Sequence, residues 1–389
     1  MTTTNETVQG LYLAYLQRPA DPRGLEFWSD ALRTGITHNL SGEFAKSPEF
    51  RATFGGKSHA ETVDALYLNL FGRRADEAGM KLYKGMLDTG KATVESVAGD
   101  ILQGAIGSDR ETLLNKVAAA ELFTTTLRIE AAYSWDLRFD PRATRDYIAS
   151  VTDDASAYAA LGKLPDLLQL GAVLSGDMKQ GAPAPADEVP PVTLTNEDRV
   201  QELHLAYFGR PAKVDELRGL GEVIAKSSYE AVSLLLSQSR EYTDSVQGLS
   251  HQQVVDKLYM NLFGRHGDEA GLKFYADALA SGKAGIDFVV RGFLDNAHGN
   301  DWTVLENRLV GAEIFTTALK IDPLASSAYA VYTLPGQAYV DLITTDASVY
   351  DAMRGLPKSL QDLVTLMQTP FELAQLTGVV PVDPGLFGC

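Results

Sequence analysis

Apolar residues along this chain recur at helical spacing and then stop at glycine. In the stretch Leu66-Tyr-Leu-Asn-Leu-Phe-Gly-Arg-Arg-Ala-Asp-Glu-Ala-Gly-Met-Lys-Leu-Tyr83, Leu66, Leu70 and Phe71 share one helical face. Gly72 is placed as the left-handed residue that ends the helix, and Asp76 as the N-cap of the next. The stretch returns at 11–28 and 258–275, and in a worn form from Leu203 that keeps Tyr207, Gly209, Arg210, Pro211 and Ala212. Each copy predicts helix, tight turn, helix. Thr34-Gly35, Thr89-Gly90 and Ser281-Gly282 predict where the second helix stops in three of them. The entries carry matching caps: Thr3 with Glu6, Ser58 with Glu61, Thr195 with Asp198 and Ser250 with Gln253.

The larger period is 192 residues. Residues 11 to 165 find counterparts at that offset without insertion or deletion, among them Tyr147 with Tyr339, Glu121 with Glu313 and Pro165 with Pro357. The expected fold is therefore all-α, with two duplicated helical lobes, each built from two helix-turn-helix modules. The expected boundaries are 1–178 for the first lobe, with modules near 3–55 and 58–178, and 195–372 for the second. A Pro-rich linker covers 179–194 and a tail 373–389. Apolar alternation over Ala328–Leu334 allows one short strand.

Composition narrows the function classes. A net charge of −17 argues against nucleic acid or an anionic lipid surface as a general partner, and suits a surface that recruits divalent cations. The single cysteine, Cys389, excludes an intrachain disulfide and a cysteine-based metal site. The start reads as no secretory leader, and no apolar run approaches the roughly 18 residues of a transmembrane helix.

The recurring polar residues are the candidate site. Arg18, Arg73, Arg210 and Arg265 occupy one position just past the first helix of each copy. A guanidinium there either binds a carboxylate or phosphate ligand, or pairs with helix C-terminal carbonyls or with the nearby aspartate. Recurrence within every module favours the second. Asp21, Asp76 and Asp268 read as N-caps, each followed three residues on by Gly24, Gly79 and Gly271. Gly72, Gly209 and Gly264 read as helix stops. Calcium remains a minority reading, since neither EF-hand spacing nor glycine- and aspartate-rich nonapeptides occur. The six histidines show no metal-ligand spacing and read as surface residues at helix starts. Glu121 and Glu313 read as solvated or hydrogen-bonded rather than as an acid–base pair, and no nucleophile elbow, Walker loop or dinucleotide fingerprint is present. Trp28, Tyr83 and Tyr275 read as core.

The pattern Leu-Tyr-x4-Gly-Arg-x-Ala-Asp-x2-Gly-Leu-x2-Tyr/Trp resembles the bacterial module called domain of unknown function 4214, found in exported S-layer-like and RTX-type surface proteins. It departs from that pattern at Gln17, which replaces the glycine, and at Lys213 and Glu216, which replace the aspartate and glycine of the worn copy. The resemblance carries no catalytic residue. It implies a non-enzymatic, self-assembling bacterial surface protein, exported without an N-terminal signal peptide by type I secretion. Its implied partners are other copies of itself, in a filament or lattice, and lipopolysaccharide or another surface polysaccharide. No cofactor is expected, with calcium the one ion left open. The alternatives are a cytoplasmic helical scaffold that binds a partner protein, and a glycan-active enzyme.

Overall fold

The computed structural model describes residues 4–37, 39–131, 141–169 and 194–368, and over these the chain is all-α, with no strand. It divides into two compact units, Met1–Thr193 and Leu194–Cys389. The expected linker, save Leu194, and the expected tail lie outside the described residues, as do Thr3, His38 and Cys389.

The first unit opens with α1 (Thr4–Leu16), α2 (Pro22–Arg33), α3 (Leu40–Ala45) and α4 (Pro48–Phe54). There follow α5 (His59–Phe71), α6 (Glu77–Asp88), α7 (Val94–Gly104), the long α8 (Gly107–Ala131), α9 (Pro141–Ala149) and α10 (Asp154–Gln169). The second unit runs α11 (Asn196–Phe208), α12 (Val214–Lys226), α13 (Tyr229–Ser237), α14 (Arg240–Val246), α15 (His251–Phe263) and α16 (Glu269–Ala280). It closes with α17 (Ile286–Asn296), α18 (Asn300–Leu319), α19 (Pro323–Val331), α20 (Leu334–Asp341) and α21 (Asp346–Gln368).

Local chemistry sets these limits. Ser58, Thr195 and Ser250 form reciprocal capping boxes with Glu61, Asp198 and Gln253. Gly72, Gly209 and Gly264 end α5, α11 and α15 at φ 71°, 65° and 66°, where a Cβ would be strained. At Gly209 the need is doubled: a Cβ would stand 2.7 Å from Oδ1 of Asn261, whose Nδ2 donates to the Ala206 carbonyl. Gln17 takes the same left-handed conformation, at φ 59°, where the other copies have glycine. The helix stop is thus kept at some strain. The short strand expected over Ala328–Leu334 is not formed. Asp322 accepts from the amides of Leu324 and Ala325, Pro323 takes the first helical position, and α19 and then α20 cover the segment. Its apolar residues Ala328 and Tyr329 are buried as one helical face.

Each unit is assembled around one long helix. In α18 nearly every side chain from Val304 to Leu319 is buried, as a helix without a polar face must be. It packs on α11, α15 and α21, and α8 packs on α1, α5 and α10. A buried amide joins the first helix to this axis. Gln9 Nε2 donates to Thr124 Oγ1 at 2.7 Å, its Oε1 accepts from the Ala20 amide at 2.9 Å, and Thr124 Oγ1 donates to the Ala20 carbonyl at 2.7 Å. Gln201, Thr316 and Ala212 make the same three bonds at 2.8, 2.9 and 2.7 Å.

This network makes a prediction. Gln201→Glu removes the donor to Thr316 and leaves a carboxylate in a site without solvent, at a cost of about 3 kcal/mol. Asp256 holds the corresponding loop amide, Gly267 N–H, at 2.9 Å from a partly exposed position. Asp256→Asn is therefore expected to cost less than about 1 kcal/mol. Denaturant midpoints at constant slope measure both, and equal losses would contradict the assignment.

Candidate functional site

The four arginines form four versions of one clamp. Arg18, just past α1, presents Nε and Nη2 to the two carboxylate oxygens of Glu49 at 3.0 and 3.2 Å, while Nη1 donates to the Pro19 carbonyl at 3.0 Å. Arg73 does the same with Asp109 at 2.7 and 2.6 Å and with the Arg74 carbonyl at 2.9 Å. Arg265 takes Asp301 at 2.7 and 2.6 Å and the His266 carbonyl at 3.0 Å. Arg210 takes Glu241 at 2.6 and 2.7 Å and the Pro211 carbonyl at 2.9 Å. The fork geometry of guanidinium and carboxylate makes each pair bidentate.

Every carboxylate partner lies in the first turn of a later helix: Glu49 in α4, Asp109 in α8, Glu241 in α14 and Asp301 in α18. A negative charge is favoured there by the helix dipole. The clamp thus ties the end of one helix to the start of another. Arg18 and Arg210 are buried, whereas Arg73 and Arg265 are 41% exposed. Their chemistry is that of a brace, with the fork directed at a carboxylate of the same unit.

The aspartates and glycines meet as a second feature beside each clamp. Asp21, Asp76 and Asp268 accept from the amides of Gly24, Gly79 and Gly271 at 2.7, 2.7 and 2.8 Å. A tyrosine of the preceding helix covers each glycine. The hydroxyls of Tyr12, Tyr67 and Tyr259 stand where a Cβ at Gly24, Gly79 and Gly271 would be, so no larger residue fits. The clamp arginine lies over the same tyrosine ring, 5.1, 5.2 and 5.1 Å from its centre.

The worn copy solves this seat differently. His204 stands where the others have tyrosine, and Glu216 where they have glycine. His204 is fully buried, which corrects its reading as a surface residue at a helix start. Its Nδ1 donates to the Val200 carbonyl at 2.8 Å, and its Nε2 lies 3.2 Å from Glu216 Oε2. Glu216 also takes Arg210 at 3.0 and 3.2 Å and accepts from the Lys213 amide at 2.9 Å. Burial opposes its ionisation, but His204 and Arg210 outweigh that and hold the carboxyl well below the usual range. Glu216 and Glu241 border an open cleft of about 450 Å³ with Phe208, Leu220 and Leu235 on its wall.

Sequence reasoning found the arginines, aspartates and glycines and the approach of Arg18 to Asp21 at 3.7 Å and of Arg73 to Asp76 at 3.8 Å, and missed the distant acids that the forks hold. The acid partners lie at two spacings, 31 residues on for Arg18 and Arg210 and 36 for Arg73 and Arg265, with Glu49 and Glu241 each inside a cap-and-helix tetrapeptide. Lys116 was missed as well. Buried in α8, its Nζ donates to the Asn69 carbonyl in the last turn of α5 at 2.9 Å. Arg308 meets the end of α15 more fully, donating to the Met260, Asn261 and Ile343 carbonyls. Burial pushes the Lys116 amine down to about 8. Among the described residues no group of three or more His, Cys, Asp and Glu is placed to hold a metal, and no helix is long and apolar enough to cross a membrane.

Residues 1–54, 41–105 and 231–298 match the family model described as a domain of unknown function (DUF4214). No curated protein and no solved structure matches the chain. In the second unit the match begins beyond Lys213 and Glu216, the residues that break the pattern.

Two outcomes are expected. His204→Tyr alone drives a ring toward Glu216, and Glu216→Gly alone takes a partner from Arg210. The double variant rebuilds the seat of the other copies, so a double-mutant cycle of unfolding free energies should give about 1–3 kcal/mol of favourable coupling. Additive losses would refute it. For Lys116, the unfolded amine keeps its proton up to about 10.5 while the native one gives it up near 8, so stability rises with pH between those values, by about 3 kcal/mol. Denaturant unfolding across that window should show the rise in the wild type and a flatter profile in Lys116→Met.

Proposed function

Because both units carry the DUF4214 module, we propose that the chain is a non-enzymatic structural protein of the bacterial cell surface. In this reading it is S-layer-like and associates with copies of itself or with surface polysaccharide. One observation carries the proposal. Phe27, Leu82 and Phe274 occupy a single position on the second helix of three copies, and all three are exposed, Phe274 by 65% and Leu82 by 54%. A lone exposed apolar side chain needs no explanation. The same exposure at one register, on helices whose neighbours are otherwise capped and braced, is what a repeated contact surface requires. Repeated surfaces that meet head-to-tail without closing generate filaments or sheets.

The charge of −17 sets the condition for such contact. Copies repel until the field is screened, over a Debye length of about 8–10 Å, or until a divalent cation bridges carboxylates of neighbouring molecules. Calcium enters this reading as a bridge between copies. Purified protein is expected to form filaments, tubes or lattices, more readily with calcium than with sodium of equal ionic strength. Light scattering and negative-stain microscopy measure this, and Leu82→Glu with Phe274→Glu should suppress it. A strictly monomeric species at high concentration, with and without calcium and surface polysaccharide, would overturn the proposal in favour of a scaffold for another protein.

A further inference from the structure

The second unit contains a group of side chains that its fold does not need. Where α11, α13 and α17 pack on one another, Arg199, Glu202, Tyr229, Arg291 and Asp295 stand together. The residues 192 positions earlier are Thr7, Gly10, Thr37, Gly99 and Gln103, small or neutral at every place. The helices α1 and α7 of the first unit pack on each other, with Gly10 directly against Leu102, Gly99 facing open space and Gln103 exposed. Five positions that helix packing leaves free have become two guanidiniums, two carboxyls and a tyrosine.

Their geometry is a stack with a buried acid beside it. The guanidiniums of Arg199 and Arg291 lie 5.7 and 5.3 Å from the centre of the Tyr229 ring. Arg291 is held by Asp295 at 2.6 Å and, at 3.5 Å, by Glu230. The Tyr229 hydroxyl is buried and meets no hydrogen-bond partner among the described residues. Glu202 is 8% exposed, within the field of Asp198 and Arg199 on its own helix, Tyr229 on α13, and Arg291 and Asp295 on α17. The elements α12, α14, α15 and α18 meet α11 elsewhere, through His204 and Glu197, through Tyr207, through the Ala206 carbonyl and through Gln201 respectively.

A neutral carboxyl can remain in that place. An ionised one needs water or a guanidinium, and Arg199 or Arg291 can supply itself only by leaving the Tyr229 ring, Arg291 by leaving Asp295 as well. We propose that Glu202, Tyr229 and the two arginines form a proton-sensitive clasp, which holds α13 and α17 on α11 while the carboxyl keeps its proton and loosens when it ionises.

Burial, opposed by Arg199 and reinforced by Asp198, raises the Glu202 carboxyl from its ordinary 4.5 to about 7. The native state then holds a proton that the unfolded chain has released, so the contribution is fully present below 4.5 and is lost as pH rises through 7. Across that window the folding equilibrium constant changes by up to roughly 300-fold.

Hydrogen exchange on the full chain tests this, with rates corrected for intrinsic pH dependence, at about pH 5.5 and about pH 8. In the wild type, protection in α13 and α17 should fall about tenfold or more at the higher pH, and in Glu202→Gln less than about twofold. The helices α3 and α7 of the first unit, which lack the group, should show no such difference between the two proteins. A wild type whose α13 and α17 do not respond, or a variant that responds as the wild type does, overturns the clasp. Should the variant fail to fold, carbon-13 titration of the wild-type carboxyl decides: a midpoint near 7 supports the clasp, and one below about 5 overturns it.

Discussion

A buried loop has to satisfy its own peptide groups, and this constraint governs how each unit is put together. The turn from α1 into α2 passes through Pro19 and Ala20, and that from α11 into α12 through Pro211 and Ala212, all of them buried. An unpaired amide or carbonyl there would cost about as much as a lost hydrogen bond with nothing to offset it. Gln9 and Gln201 supply the acceptor, Thr124 and Thr316 the donor, and both reach the central helix in doing so. In the exposed turns the same register holds aspartate: Asp64 accepts from Ala75 and Asp256 from Gly267. A neutral amide is used where the loop is buried and a charged carboxylate where water reaches it, as the cost of burying charge demands.

The arginine clamps extend that local satisfaction across the unit. One donor of each guanidinium serves the carbonyl of the next residue, so the side chain is fixed to its own turn before its fork reaches out. The carboxylate it meets lies in the first turn of a distant helix, where it also faces unpaired amides. A short-range bond and a long-range one therefore share a single planar group. Lysine would lack the fork to do both, which accounts for arginine at all four positions.

Much of this was legible in the sequence because helix ends are written in local chemistry. Cap residues, stop glycines and apolar faces all involve neighbours within a turn or two, and they located the elements of both units. The expected strand at Ala328–Leu334 failed for a related reason: alternation over a few residues counted for less than the Asp322-Pro323 start just before it. What was not legible depends on distance. Gln9 and Gln201 carry no local signal, since nothing near them in sequence reveals that a loop folds over them. The partners of the arginines lie 31 or 36 residues away, beyond any local rule. His204 read as a surface residue along with the other histidines, and its partner Glu216 only as a departure from the repeated pattern.

That departure is a paired change, and it bears on what the repeated position outside is for. In three copies tyrosine over glycine, with arginine over tyrosine, sets the start of the second helix against the first at close range. The second helix then carries its exposed apolar residue, Phe27, Leu82 or Phe274, from a fixed base. The fourth copy replaces the seat by His204 and Glu216 and has Gly219 at the outward position, with no side chain to present. The seat and the outward residue are thus kept together or given up together. Gly219 lies one helical turn past Glu216 and borders the same cleft, so the loss of the outward side chain and the change of seat fall on neighbouring positions. In the surface contact proposed above the coincidence has a use, since a projecting side chain serves only where the backbone beneath it is held in place.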